Sequence, residues 1–415
     1  MDELIIIGKK ARLASGQLAH LTSHKKNRIL LRVAMLLEKE SGVLLKANAA
    51  DLEQAARMNL KGAIVERLKL SEAKIAGIAE GLREIAQLED PIGEIEAMKK
   101  RPNGLLIGKK RVPLGVVGVI YESRPNVTAD VAGLCLKTGN VCVLRGGKEA
   151  FRSNRAIVKL FHRAIDEERL DPNMVQLVQD TTRESAVAMM QLNEYLDILI
   201  PRGGAGLIQT VVENSRVPVI ETGVGNCHIY VDEAADLEMA VSIVYNAKTQ
   251  RPGVCNAAES LLVHKDVAEV VLPSIGASLK EAGVEIRGDK HSCALMPYAV
   301  PAKQEDWDTE YLDLIISSKV VASLEEAVDH INIHGSKHSE SIITENYSHA
   351  QYFLDRVDAA AVYVNASTRF TDGFEFGYGA EIGISTQKLH ARGPMGLKEL
   401  TTNKYVVYGS GQIRG

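Results

Sequence analysis

The sequence predicts an α/β protein built from a doubly wound parallel-sheet domain and a second α/β domain. Three observations predict this fold. Short apolar segments alternate with amphipathic helical segments between residues 116 and 223, and the same alternation resumes after residue 224. Strands with continuous apolar centres that alternate with helices indicate a parallel sheet covered on both faces. At 415 residues the chain also exceeds one ordinary hydrophobic core, which favours two domains.

Composition excludes several classes of protein. The chain is 46% hydrophobic and 25% charged, which is typical of soluble globular proteins. Its formal net charge of −4 argues against a nucleic-acid-binding protein, which usually carries a basic stripe. The longest apolar run, 112–121, is shorter than the roughly 20 residues of a membrane span, and the N-terminus lacks a secretory signal. We therefore expect a cytoplasmic protein that binds neither nucleic acid nor membrane.

Residues 1–100 are predicted to be helical. One amphipathic segment covers 22–40. A second begins after Ser71, a good helix cap, and ends before Pro91. Its apolar residues recur at helical spacing on one face, at Ile75, Ile78, Leu82 and Ile85. These helices can cover a sheet but carry no obvious chemistry.

The first domain continues with a series of predicted strands separated by helices. The strand segments are 116–121, 140–146, 174–180, 196–204 and 217–223. Ligands of such sheets bind at the carboxyl ends of the strands. The tail, 401–411, offers one further strand after the second domain.

Two glycine-rich loops are candidates for binding phosphate. The dinucleotide fingerprint GxGxxG does not follow the first strand, so a standard Rossmann site is not supported. The segments "RGGKEA" (145–150) and "PRGGAGLI" (201–208) each follow a strand and open a helix, so backbone N–H groups can face an anion. Plain tight turns are the alternative. Lys148 adds a positive charge to the first loop, unless it is only a solvated helix start.

The five cysteines are odd in number and contain no CxxC pair, which fits a reducing compartment better than a disulfide framework. Cys135 and Cys142 lie in apolar elements and are predicted to be core residues; Cys227 and Cys293 are left unassigned. Cys255, in "TQRPGVCNAAES", is predicted to lie on a loop that leads into a helix. A helix N-terminus favours the thiolate, so Cys255 is the candidate nucleophile. The alternative is a small apolar packing residue.

Four segments carry a family resemblance: 113–140, 217–232, 247–260 and 373–405. They resemble the γ-glutamyl phosphate reductases (glutamate-5-semialdehyde dehydrogenases), a branch of the aldehyde dehydrogenase superfamily, and the likeness covers nearly the whole chain. The resemblance implies the aldehyde-dehydrogenase-like fold with a small β oligomerisation arm. The implied division is an NADP-binding domain at 1–103 and 113–224, a catalytic domain at 225–390 that contains Cys255, and the arm at 104–112 and 400–415.

The resemblance also implies roles for individual residues. Cys255 falls on the family's nucleophile, and the side-chain amide of Asn126 falls on its oxyanion-hole donor, together with the backbone N–H at Cys255. The positions that resemble the cofactor site are Lys148 at the ribose, Gly203 and Gly206 at the pyrophosphate, and Glu310 at the nicotinamide ribose.

Two positions depart from the superfamily pattern. Glu221 lies where hydrolytic members carry a general base, but acyl phosphate reduction needs no attacking water, so we expect Glu221 to shape the pocket. Members that use NAD often carry an acid three residues past the lysine; here Phe151 stands there, followed by Arg152. Phe151 puts no carboxylate where it would repel a 2′-phosphate, and Arg152 supplies a nearby cation, so NADP(H) is the expected cofactor. Cations should also line the substrate pocket, with Arg124, Arg369 and His390 as candidates.

The implied activity is NADPH-dependent reduction of L-glutamyl 5-phosphate to L-glutamate 5-semialdehyde and phosphate through a cysteine thioester, the second step of proline biosynthesis from glutamate. The alternatives are another semialdehyde or acyl-CoA reductase, or an inactive cofactor-binding regulatory protein. We expect a homo-oligomer, a dimer or an assembly of dimers, and leave open a transient contact with glutamate 5-kinase. The spacing of His330, His334 and His338 resembles a zinc motif, but Gly335 should end that helix, so no metal site is predicted.

Overall fold

A computed structural model describes residues 2–60 and 62–414. The chain divides into two compact units. The first unit holds the chain up to Thr222, Gly377–Gly383 and the chain from Met395, and the second holds Gly223–Phe376 and Ile384–Pro394. The predicted cofactor and catalytic domains divide the chain near the same point, but 377–383 group with the first unit. The roles assigned to the two domains stay predictions.

The helices are numbered in chain order. They are α1 (Asp2–Leu18), α2 (Ser23–Lys39), α3 (Ser41–Arg57), α4 (Gly62–Leu68), α5 (Glu72–Gln87), α6 (Pro125–Lys137), α7 (Phe151–Glu167), α8 (Arg183–Met190), α9 (Ala205–Asn214), α10 (Leu237–Thr249), α11 (Lys265–Glu281), α12 (Lys290–Leu295), α13 (Leu324–His334) and α14 (Tyr347–Arg356).

The strands follow the same numbering. They are β1 (Ile95–Lys100), β2 (Leu106–Pro113), β3 (Val116–Tyr121), β4 (Val141–Gly146), β5 (Val175–Leu177), β6 (Ile198–Arg202), β7 (Cys227–Val231), β8 (Ala258–His264), β9 (Glu285–Gly288), β10 (Val300–Pro301), β11 (Ile315–Val321), β12 (Ser339–Ile343), β13 (Ala361–Val364), β14 (Ile384–Ser385), β15 (Gly393–Pro394) and β16 (Thr401–Tyr408).

The first unit contains the predicted parallel sheet, with strand order β5-β4-β3-β6. Tyr121 at the end of β3 pairs with Gly146 of β4 and with Arg202 of β6, so the segments that follow these strands leave the sheet at the same edge. β3 is buried along its whole length, as expected for a strand covered on both faces. This edge therefore brings the two glycine-rich loops to either side of the segment that follows Tyr121.

The predicted strand at 217–223 is wrong. Only an isolated bridge joins Val219 to Leu199. The Leu199 N–H donates to the Pro218 carbonyl at 2.8 Å, and Ile220 donates back to the Leu199 carbonyl. Pro218 has no N–H with which to continue the ladder, and no regular structure follows in 221–226.

The N-terminal prediction is correct for the helices and wrong for one strand. Thr22 caps α2 and Ser71 caps α5, each accepting from a backbone N–H three residues on. The segment 95–100, "IEAMKK", falls within the range predicted to be helical, but it forms β1, antiparallel to β2. The strand that pairs with this segment, β2, lies outside these six residues, so the sequence of the segment alone could not predict a strand.

The strands predicted near 104–112 and 404–408 pair with each other as β2 and β16. The antiparallel register runs without a break from Leu106 opposite Tyr408 to Pro113 opposite Thr401. β1 completes the sheet on the other side of β2. Part of the β16 surface is apolar and exposed, at Tyr405, Val407 and Tyr408. The oligomeric role of this arm stays a prediction.

The second unit is a second α/β sheet, as predicted, with all-parallel strand order β10-β9-β11-β8-β7-β12-β13. Two apolar clusters pack against it; one includes Val244 and Leu272, and the other includes Ile331 and Phe353. Over the described ranges 2–60 and 62–414, no helix has the length and apolar character that crossing a membrane requires.

Candidate active site

Cys255 lies in the loop between α10 and β8. The predicted helix after it is wrong: Ala258–His264 form β8, a fully buried strand between β7 and β11. The helix-dipole argument for the thiolate therefore does not apply. Cys255 itself is partly exposed, which separates it from the buried Cys135 and Cys142, both in elements of the first unit as predicted.

The backbone of Cys255 is held by residues at the start of β7. The Cys227 thiol donates to the Cys255 carbonyl oxygen at 3.2 Å. Burial raises the pKa of Cys227 well above its usual value, so this thiol keeps the proton that it donates. Gly225 lies so close that a Cβ there would overlap the Cys255 backbone. Glycine is therefore required at position 225 by close approach.

Downstream of the cysteine, Asn256 fixes the loop to the segment that follows β13. Its side-chain amide donates to the carbonyls of Thr371 at 2.8 Å and Arg369 at 3.2 Å. The Arg369 guanidinium in turn donates to the Asn256 side-chain oxygen and, at 2.9 Å, to Gln250. Burial, and next the charge of Arg251, lower the pKa of Arg369. The structure therefore brings Arg369, a candidate substrate cation, beside the loop of Cys255.

Glu310 lies on the other side of Gly225. Its carboxylate accepts a hydrogen bond from the Gly225 N–H at 2.7 Å. Sequence reasoning placed Glu310 at the nicotinamide ribose, and that role stays a prediction. Its bond to Gly225 shows that Glu310, Gly225 and Cys255 lie in one continuous contact chain within the second unit.

Sequence reasoning missed a buried ion pair next to this loop. Lys248 and Glu259, both fully buried, lie 2.6 Å apart. A charged residue inside the apolar run "AESLLVH" was the available signal, because a buried carboxylate needs a partner.

The first unit places the predicted cofactor residues at the carboxyl edge of its sheet. Lys148 is exposed and follows β4, at the start of a 3₁₀ turn that leads into α7. Gly203 and Gly206 lie between β6 and the first turn of α9. The strand–loop–helix arrangement predicted for both loops is confirmed; that they hold a cofactor stays a prediction.

The segment after β3 is bonded to both of these loops. Glu122 accepts from the Gly204 N–H at 3.1 Å, and a Cβ on Gly203 would crowd the same carboxylate. On the opposite side, the Ser123 N–H and hydroxyl both donate to Glu149 at 2.8 Å. The loops after β3, β4 and β6 therefore form one connected edge.

Asn126 is the second residue of α6, after Pro125, and Arg124 occupies the N-cap position of this helix. Its side-chain amide is exposed and donates to Asp130 at 3.1 Å. Burial raises the pKa of Asp130 to about 6, against the opposing effects of this hydrogen bond and of the charge of Arg202.

This raised pKa predicts a pH-dependent stability. An acid whose folded pKa exceeds its unfolded value costs stability as it ionises, so the contribution of Asp130 to the free energy of unfolding should fall as pH rises from about 4 to about 6. The Asp130→Asn variant escapes this cost. Its stability relative to the wild type should rise by up to about 1.4 kcal/mol per pH unit over that window and then level off. Urea unfolding of both proteins at pH 4.5 to 7.5 measures it; a constant difference would contradict it.

The other predicted residues are placed as follows. Arg152, at the start of α7, donates to Asp51 at 3.3 Å and to Gln54 at 2.6 Å, both on α3. Glu221 is partly buried, after the Leu199–Val219 bridge in the first unit. His390 is exposed, with φ of 70°, in the second unit.

The histidine triplet divides as the sequence predicted. Gly335 ends α13 directly after His334, and its N–H donates to Ile331. The ring centroids of His330 and His334 lie 4.5 Å apart on this helix, with the rings tilted by 44°, whereas His338 lies beyond it, 2.8 Å from the Ser339 hydroxyl. That the triplet binds no metal stays a prediction.

Comparison with known proteins assigns the family. Residues 3–293 match the model of the aldehyde dehydrogenase family. This chain belongs to that family. It is 61% identical over 415 residues to a gamma-glutamyl phosphate reductase of Carboxydothermus hydrogenoformans, and the match covers 100% of both chains. The predicted resemblance is therefore confirmed, and the chain is an oxidoreductase of the aldehyde dehydrogenase family.

Solved structures confirm the predicted fold. A gamma-glutamyl phosphate reductase of Thermotoga maritima superposes with a TM-score of 0.97 at 50% identity and covers 100% of both chains. An acetylating aldehyde dehydrogenase of Geobacillus thermoglucosidasius gives a TM-score of 0.71 at 18% identity and covers 100% of this chain and 98% of its own. At that identity the second likeness shows the fold alone.

Proposed function

We propose that this chain reduces L-glutamyl 5-phosphate to L-glutamate 5-semialdehyde and phosphate, using NADPH, in proline biosynthesis. The observation that carries the proposal is the partly exposed Cys255, whose loop is held by Cys227, Gly225 and Asn256. The chain is also 61% identical along its whole length to a relative named gamma-glutamyl phosphate reductase. The name describes that relative, and we propose the same activity for this chain.

The proposed chemistry begins at the Cys255 sulfur. The thiolate attacks the γ-carbonyl carbon, the carbon–oxygen bond to phosphate breaks, and phosphate leaves with that electron pair. The acyl group is then held as a thioester, which divides one difficult reduction into two easier steps. NADPH, when bound, would supply the hydride that reduces this thioester. The Cys255 sulfur would then leave as thiolate when the C–S bond breaks, which releases the semialdehyde. Asn126 donates to the carbonyl oxygen as it gains negative charge.

Glu221 has a different role in this proposal from that in hydrolytic relatives. A base that activated water would hydrolyse the thioester and waste the acyl phosphate. Glu221 therefore shapes the pocket. The substrate is anionic at both ends, and Arg124, Arg369 and His390 remain the proposed cations for its carboxylate and phosphate.

The carboxyl edge of the first sheet fits a nicotinamide cofactor. A Cβ at Gly206 would have open space around it, so the start of α9 leaves room for a pyrophosphate beside its N–H groups; the N–H of the preceding Gly204 already donates to Glu122. Lys148 is exposed at the neighbouring loop and would hold a ribose hydroxyl. Glu310 is proposed to hold the nicotinamide ribose.

Arg152 is proposed to favour NADPH over NADH. The Arg152→Gln variant should raise the KM for NADPH by about 10-fold, with little change for NADH, because one charge-assisted bond to phosphate is lost. Steady-state kinetics with both cofactors measure this. Arg155→Gln, on the same helix, is the matched control and should leave both KM values unchanged. Equal losses with both cofactors in Arg152→Gln would contradict the proposal, because they would indicate loss of the Asp51 contact alone.

The direct test of the reaction runs it in reverse, since the acyl phosphate is labile. Semialdehyde, phosphate and NADP⁺ should give an increase at the nicotinamide absorbance band that depends on phosphate. An increase with coenzyme A and no response to phosphate would favour the alternative acyl-CoA reductase. No increase with any acceptor would favour the regulatory protein. A homo-oligomer and a transient contact with glutamate 5-kinase remain part of the proposal.

A further inference from the structure

The fully buried pair of Lys248 and Glu259 has no part in the chemistry proposed above. Lys248 lies in the last turn of α10 and Glu259 lies on β8, so the pair spans the loop of Cys255. Buried ion pairs are often no better for stability than apolar residues of similar size, and their best-attested use is to fix one arrangement of the chain. We therefore expect this pair to fix one arrangement of the chain around it.

The two oxygens of Glu259 have different partners. One lies 2.6 Å from the Lys248 ammonium, and the other accepts from the Leu312 N–H at 3.1 Å. Leu312 has a φ of 54°, a left-handed conformation that costs energy for a bulky residue. Its carbonyl lies over Gly253 in the loop of Cys255. Glu259 therefore holds a strained residue directly above that loop.

The strained residue belongs to the short segment 309–312, which we call the Glu310 segment. Two residues before Leu312, the Glu310 carboxylate accepts from the Gly225 N–H, and Gly225 packs against the Cys255 backbone. A continuous series of contacts thus runs from Glu259 through the Glu310 segment and Gly225 to Cys255. Every member of the series lies in the second unit.

We propose that Glu259 is a positioning residue for Cys255. By accepting a hydrogen bond from the Leu312 N–H, Glu259 fixes the Glu310 segment. Glu310 then holds Gly225, through the Gly225 N–H, in its position beside the Cys255 backbone. Lys248 orients the carboxylate and balances its charge. The inference that this positioning matters for turnover rests on the proposed function, whereas its effect on the exposure of the Cys255 thiol does not.

Burial of the pair affects the protonation of Glu259. Burial raises the pKa of Glu259 to about 7, and the ammonium of Lys248 is the main opposing influence. Without Lys248 the pKa of Glu259 would be higher still, and the carboxyl would be protonated at neutral pH. Its oxygen would still be able to accept from the Leu312 N–H, so the hydrogen bond to Leu312, more than the charge, is the positioning contact.

The test is the rate at which iodoacetamide alkylates Cys255, followed by peptide mass spectrometry without substrate or cofactor. Glu259→Leu removes the acceptor for Leu312. The Lys248→Met/Glu259→Gln double variant removes both charges but retains a side-chain oxygen for Leu312. The partly exposed Cys293, on α12, is the internal control for folding in every sample.

Glu259→Leu should alkylate faster at Cys255, by roughly threefold or more, because the released loop opens more often. In the same variant kcat should fall by about 10- to 100-fold, because a displaced nucleophile reacts poorly. The double variant should stay within about twofold of the wild type in alkylation, since the local opening is unchanged. Cys293 should be alkylated at the wild-type rate throughout. General destabilisation would speed the labelling of both thiols and also slow turnover, so unchanged labelling of Cys293 is the result that identifies a local effect at Cys255.

A second pair of variants keeps the proposal testable if Glu259→Leu fails to fold. Glu310→Ala removes the acceptor for Gly225, and Glu310→Gln retains it. Only the alanine variant should speed Cys255 alkylation. Unchanged Cys255 alkylation in Glu310→Ala, or equal acceleration in alanine and glutamine variants, would overturn the proposal. Acceleration of Cys255 alone in the double variant, to the rate of Glu259→Leu, would also overturn it, because the hydrogen bond to Leu312 is retained there and would then not be the positioning contact.

The two proposals fail separately. If the wild type turns over no acyl phosphate, the proposed function is wrong, but the alkylation rates still decide whether Glu259 positions Cys255. If turnover is normal and the alkylation rates of the wild type and Glu310→Ala agree, the reaction stands and the positioning role is wrong.

Discussion

Replacing Cys255 with alanine should abolish turnover. The sulfur forms the covalent bond to the acyl group, so no other side chain can take over its step, and the loss should be on the order of 10⁶-fold, as for nucleophile loss in a serine protease. Phosphate-dependent reduction of NADP⁺ by the semialdehyde measures this loss. Cofactor binding, followed by fluorescence, should survive because the variant removes only the thiol.

Two controls make this result specific. Cys293→Ala removes another partly exposed thiol of the second unit and should keep full turnover. Mixing wild-type protein with freshly generated acyl phosphate in the absence of cofactor should release about one phosphate per chain in a burst above the spontaneous rate, because the thioester forms before reduction. Cys255→Ala should give no burst. A burst or turnover in that variant would refute the nucleophile assignment.

Replacing Asn126 with alanine should reduce kcat by ~100- to 1000-fold, with a smaller effect on KM. The amide is proposed to donate most strongly when the carbonyl oxygen carries negative charge, so its loss raises the barrier more than it weakens substrate binding. Initial rates over a range of semialdehyde concentrations separate the two parameters.

The control for this variant is Asn214→Ala. Asn214 is another exposed asparagine of the first unit whose amide donates to a nearby group, the Thr210 carbonyl. It should turn over normally. If Asn126→Ala raised KM and left kcat unchanged, Asn126 would be a ground-state binding residue and the oxyanion role would be wrong.

The sequence was most informative where a pattern repeats within one element. Continuous apolar segments identified β3 and β4, and Ser71 identified the start of α5, because burial on both faces and helix capping each leave a local signature. It was least informative where a distant partner decides. The segment of β1 has helix-favouring residues and becomes a strand only because β2 is beside it.

The candidate site shows the same division. Cys255 was identified from its loop and from the family resemblance, but the reason first given for its reactivity, a following helix, is wrong because β8 is drawn into the centre of a sheet. The contacts of Gly225 and Glu310 join positions 85 residues apart, and those of Lys248 and Glu259 depend on burial. No periodicity in the sequence predicts either pair of contacts.

The pairing of β2 with β16 has a consequence for biosynthesis. The partners of this ladder include Arg111 and Thr401, which are 290 residues apart, so synthesis must proceed past β16 before the ladder can close. Closing so long a loop carries an entropic cost, and contacts of such high sequence separation form late. A nascent chain that has emerged only to residue 222 exposes an unpaired edge of β2 and must avoid aggregation until synthesis is complete.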